Sequence, residues 1–160
     1  MSSASGGARS GHRLSVDAQT GLVDSHANGH NRWHPEIEPV LTIAPGEVVT
    51  FEMRDGLDVQ IRPDSTVDAV VSLDVNRGHP MTGPVYIDGA EAGDLLDVEI
   101  LDITPDDWGY TIILPNLGLL DYRFSEPFVV KWDLSGGVAR SDDLPGVAIP
   151  VDGGQIATTF

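Results

Sequence analysis

The apolar positions of this chain recur every second residue far more often than every third or fourth. Residues 47–54, EVVTFEMR, place Val49, Phe51 and Met53 on one face and Val48, Thr50, Glu52 and Arg54 on the other. Period two over eight residues marks a half-buried strand. Residues 95–103, LLDVEILDI, repeat the pattern, with Leu96, Val98 and Ile100 turned inward and Asp97 and Glu99 outward. Turn signals precede both runs: Pro45-Gly46, which fits a type II turn, and Ala92-Gly93. Further strands are predicted at 39–44, 59–62, 85–87, 110–114, 128–134 and 147–151, with a weaker seed at 14–16. Residues 65–73 combine a helix start, Ser65 with Asp68 three residues on, with the β-branched Val67, Val70 and Val71. One or two helical turns are predicted there.

The pattern as a whole predicts an all-β protein, a β-sandwich of short antiparallel strands with at most one short helix. Residues 1–29, rich in Ser, Gly, Ala and His, are predicted to be a flexible N-terminal arm, and residues 30–160 to be the sandwich domain. The strings PGEVVTFEM and AGDLLDVEI share a turn residue, a glycine, an acid and two apolar residues. An internal duplication and convergence on a favoured turn grammar both account for that.

Composition narrows the function classes. The 160 residues suffice for one domain with a real core, and 18 glycines and 11 prolines suit many short strands better than a helical bundle. Twenty-five acids against nine bases give a formal charge of −16, which repels nucleic acid and anionic membrane surfaces. The absence of cysteine excludes disulfides, thiolate metal ligands and a cysteine nucleophile. No run approaches transmembrane length and no apolar leader is visible, so a cytoplasmic location is expected.

The motif with the most content is TGPVYIDGAEAGD at 82–94. It resembles the "TGP-hydrophobic-x-V-x-GA-x-PGD" segment of the acetamidase/formamidase family. HNRWHPEIEPVLTIAPGEVVTFE resembles that family's opening block, and WGYTIILPNLGLLDYRFSEPFVVKWDL its bacterial Trp-Gly-aromatic-Thr run and the loop before "EPF". The resemblance spans about 30–149, in several blocks in the right order. It implies a sandwich fold and hydrolysis of small linear amides to carboxylate and ammonia, assisted by a divalent metal, zinc among the candidates. It also implies a homo-oligomer or completion by a missing C-terminal half. The family's later "GGN-x-D" and "GD-x-HA-x-x-GDGE" blocks have no counterpart in VDGGQIATTF. Truncation, a shifted reading frame and a split subunit are the three expectations that follow. The alternative is a non-catalytic sandwich fragment or partner subunit.

Five residues carry the expected chemistry. His30 and Trp33 match the opening block, His30 as a metal ligand and Trp33 in substrate binding; Trp33 could equally close the end of a sandwich. Gln60 matches a family glutamine. Its amide can donate to a substrate carbonyl and accept from a substrate NH2, or it is a solvent-facing strand residue. Asp55 could activate water, or it belongs to an Asp-Gly turn. His79, next to Pro80, could act as a base, or it is an exposed loop residue. Leu57-Asp58 departs from the small residues usual at this point of the family. His26, His30 and His34 recur every fourth residue, but Gly29 and Pro35 exclude the helix that would gather them on one face.

Overall fold

A computed structural model describes residues 11–151, so the first ten residues of the expected arm lie outside it. Strands dominate, as the period-two pattern requires. In chain order they are β1 (Gly11–Leu14), β2 (Gly29–His30), β3 (Leu41–Ile43), β4 (Val48–Phe51), β5 (Met81–Thr82), β6 (Val85–Ile87), β7 (Trp108–Ile113), β8 (Phe128–Asp133), β9 (Val138–Arg140) and β10 (Ala148–Pro150). One short helix, α1 (Val67–Val71), and a 3-10 turn (Val75–Arg77) complete the described elements. The expected helical turns at 65–73 are α1, with Val70 fully buried.

The chain divides into two compact units, residues up to 60 with 74–95, and residues 61–73 with 96 onward. In the first, β1 pairs with β4 and β3 with β6, both parallel, while β2 pairs antiparallel with β5. Parallel pairs need long crossovers, which alternation cannot reveal. The expected flexible arm therefore ends earlier than predicted: residues 11–29 contribute β1, β2 and the buried Leu14 and Leu22 to the core of this unit. The turn at Pro45-Gly46 is present, closed by Glu47 N donating to Ala44 O at 3.2 Å.

Charge assists the β1–β4 pairing. The Arg13 guanidinium donates to the Glu52 carboxylate, whose other oxygen accepts Val16 N at 3.2 Å. The Arg13 hydrogen bond is the main reason the Glu52 carboxyl titrates below its ordinary value. A depressed carboxylate contributes stability that is present above the unfolded-state pKa and lost as pH falls through the folded one. The urea midpoint should therefore fall from about pH 6 to about pH 3, and Glu52→Gln should shrink that fall. An unchanged pH dependence in Glu52→Gln would count against this role.

In the second unit, β10-β9-β8-β7 form an antiparallel sheet, with Trp108 opposite Asp133 and Ile113 opposite Phe128. Val129 and Val130 are both buried, so both faces of β8 are covered, and α1 packs against this strand. Lys131 Nζ donates to Ser65 O at 3.2 Å just ahead of α1.

Two predicted strands, 59–62 and 95–103, do not form among the described residues. Residues 59–62 form a turn and irregular backbone instead of a strand, because local side-chain bonds hold them. Residues 95–103, the cleanest alternating run, pair with no strand among the described residues. The turn before them is real: Gly93 has φ +107°, a region L side chains rarely adopt.

Candidate functional site

A dense set of polar contacts surrounds the loop 55–60 of the first unit. Asp58 and Val59 both adopt left-handed backbone, at φ 58° and 63°. For a β-branched valine this is an outlier, and such strain costs on the order of 1–3 kcal/mol. Two side chains, those of Asp55 and Gln60, hold the loop in that shape. The Asp55 carboxylate accepts Leu57 N at 2.9 Å and also Val59 N. Gln60 Nε2 donates to Leu57 O at 2.8 Å and to Asp74 O at 3.1 Å, while Gln60 Oε1 accepts Asp74 N at 2.9 Å. Asp74 in turn caps the 3-10 turn by accepting Asn76 N at 3.0 Å.

The 3-10 turn delivers Arg77 to the loop. Asp58 is wholly buried, and its carboxylate accepts Leu22 N at 2.6 Å and Arg77 Nε at 3.0 Å. Arg77 Nη2 also reaches the Asp58 carbonyl at 3.2 Å. A Cβ at residue 21 would collide with that guanidinium, so the close approach of the 20–25 loop requires Gly21. Buried Arg54 secures the same loop, donating to Thr20 O at 2.9 Å and Ser25 O at 2.7 Å.

Over this base lies an open cavity of about 340 Å³, whose wall includes Leu22, His26, His30, Ile37, Asp58 and Arg77. Its size falls within the range of small-molecule sites, which combine apolar walls with a few convergent polar groups. His30 Nδ1 lies 3.0 Å from Arg32 O, an interaction within its own turn.

Of the five expected site residues, His30 alone lines the cavity. Gln60 does not lie in a strand, and its amide ties the loop to Asp74. Asp55 has the turn role, its carboxylate bonded within its own loop. His79 sits beside that turn, its N donating to Gly56 O at 2.8 Å, with φ 57°. Trp33 is 90% exposed and packs into no core. His34 bonds Glu36 N at 3.3 Å, so the three histidines do not converge. No group of three His, Cys, Asp or Glu among the described residues is placed to hold a metal ion.

Sequence reasoning missed the buried Asp58–Arg77 pair. The available signal was the departure itself, an acid at a position where resemblance led one to expect a small residue.

Gln60→Ala should destabilise the chain by about 0.5–1.5 kcal/mol, because it removes the side-chain bonds to Leu57 O and to both backbone groups of Asp74. Gln60→Glu keeps the acceptor and should cost an intermediate amount, read from urea denaturation. Unchanged stability in both variants would remove the clamp and revive a substrate role.

The profile of the acetamidase/formamidase family matches residues 15–159. The chain belongs to that family. It is 34% identical over 147 residues to the acetamidase of Mycolicibacterium smegmatis, covering 84% of this chain and 36% of that protein. A formamidase of Methylophilus methylotrophus is 34% identical over 124 residues, covering 74% of this chain and 30% of that one. Among solved structures, a gamma lactamase from Delftia acidovorans superposes with a TM-score of 0.80 at 33% identity, covering 87% of this chain and 36% of that chain. The chain thus spans about a third of the length of the curated relatives it matches. This is an amidase-family fold, and no helix of its described residues is long and apolar enough to cross a membrane.

Proposed function

We propose that this chain belongs to an amide hydrolase acting on small linear amides, in which it contributes one wall of the site. The family match over 15–159 carries the reading, supported by relatives named acetamidase and formamidase. The reaction forms a bond from a water oxygen to the amide carbon and breaks the carbon–nitrogen bond. A proton passes to the leaving nitrogen, giving ammonia and a carboxylate. Within this chain the cavity beside His26, His30 and Arg77 suits the binding part of that task. Arg77 offers N–H donors for a carbonyl oxygen, and a neutral imidazole can accept from an amide NH2. Asp55, Gln60 and Asp58 act by fixing the loop. His79 adjoins that loop and is the remaining candidate for proton transfer.

One observation favours the non-catalytic reading for the chain by itself: the carboxylate and amide expected to do chemistry are bonded to backbone. The functional assembly accordingly includes further polypeptide. A cytoplasmic setting fits the cysteine-free, acidic composition. The test is a chimera in which this chain replaces the matched 147 residues of the Mycolicibacterium smegmatis acetamidase. Ammonia release from formamide or acetamide is expected, with a loss of at least ~10-fold in His30→Ala. A folded chimera that releases none would overturn the reading.

A further inference from the structure

The alternating run 95–103 is the strongest strand signal in the sequence, yet it is bare in the structure. Val98 is 77% exposed and Ile100 72%, and Leu95, Leu96, Leu101 and Ile103 are all more than half exposed. Among the described residues it pairs with no strand, and none of its backbone groups takes part in a described backbone hydrogen bond. A contiguous apolar run with unpaired N–H and C=O groups is a ready template for another strand.

We infer that 95–103 is an interface strand, and that its partner is a strand from the polypeptide occupying the rest of the family fold, with basic residues facing Asp97 and Glu99. Two observations select that occupant. The first is length: about two thirds of the Mycolicibacterium smegmatis acetamidase lies outside the match, and the Delftia acidovorans lactamase carries this same fold as 36% of its chain. In both proteins the matched portion is accompanied by a large amount of further polypeptide.

The second observation is charge, and it argues against a second copy. An antiparallel self-pairing that stacks Val98 on Val98 sets Asp97 opposite Glu99 on both sides of the centre. A parallel in-register pairing sets each acid opposite itself. Like charges directly opposite are destabilising, and each chain already carries −16. A strand with Lys or Arg at alternate positions would reverse that sign while covering Leu96, Val98 and Ile100. This is the chemistry of strand addition, in which main-chain bonds give affinity and alternate side chains give specificity.

The inference rests on family membership and not on amidase activity, so its test reads hydrogen exchange. Amides of 95–103 are measured in the isolated chain and in the chimera with the acetamidase remainder. Exchange within this segment should be unprotected in the chain alone and slowed by at least ~100-fold in the chimera. Val98→Lys should leave the urea midpoint of the isolated chain unchanged and lower that of the chimera. Protection in the isolated chain that rises with concentration would overturn the inference in favour of a second copy. Fast exchange at 95–103 in a chimera with a protected β7–β8 pair would overturn it as well. Should the chimera not fold, the segment of intact acetamidase aligned with 95–103 is measured instead, and fast exchange there overturns the inference. A silent but strand-protected chimera would sink the amidase reading alone.

Discussion

Arg77→Ala should destabilise the first unit by about 3–5 kcal/mol, the largest loss expected from any single substitution. The reason is what it leaves behind. Asp58 has no solvent exposure, and Arg77 supplies the countercharge as well as two hydrogen bonds to the residue. Without the guanidinium a buried carboxylate faces only Leu22 N. Two further variants separate charge from packing. Arg77→Lys keeps the charge but cannot reproduce the forked contact, and should recover only part of the loss. Asp58→Asn together with Arg77→Met removes both charges and should cost less than Arg77→Ala alone. Chemical denaturation reads all three. If Arg77→Ala lowers stability by less than about 1 kcal/mol, the pair does not hold the loop.

The isolated 160-residue chain should release little or no ammonia from formamide or acetamide, with or without added zinc. Losing part of a catalytic constellation commonly removes several orders of magnitude in rate, because preorganised groups act as a unit. The described residues gather no set of three metal ligands, and Asp55 and Gln60 are bonded to their own loop. The same chain should elute from a sizing column as associated species through surfaces outside 95–103, since Trp33 and Met53 are both at least two-thirds exposed. Robust turnover by a monodisperse monomer would show that this chain holds a whole site.

The parts of the fold that were legible are those with local causes. Six-residue strands β7 and β8, the turn at Pro45-Gly46 and the short α1 all follow from patterns within a few residues. The parallel partners β1–β4 and β3–β6 were not legible, because alternation identifies a strand but not its neighbour. At 59–62 the apolar Val59 and Ile61 mimic a strand, whereas bonds from Asp55 and Gln60 force the backbone into a turn. Residues 95–103 show the opposite failure: the pattern is a strand's, and its pairing partner is not among the described residues. For the site, the resemblance singled out His30, which lines the cavity, but gave no role to Asp58 or Arg77. A buried ion pair has no period, and its members are 19 residues apart.

The interleaving of the two units constrains the order in which the chain can acquire structure during synthesis. β1 finds its partner once β4 has left the ribosome, but β3 must wait for β6, and the loop 55–60 must wait for Asp74 and Arg77. By then α1 has already emerged, yet the strand it packs against, β8, has not been made. The first unit is therefore completed in sequence while α1, which belongs to the second unit, still lacks the strand it packs against. The hairpin β7–β8 forms from neighbouring sequence and should be fast, whereas the distant parallel pairings raise contact order and slow the first unit. Nascent chains of this protein consequently spend an interval with α1 unsheltered, a window in which a chaperone would find Val70, the helix residue that ends up buried.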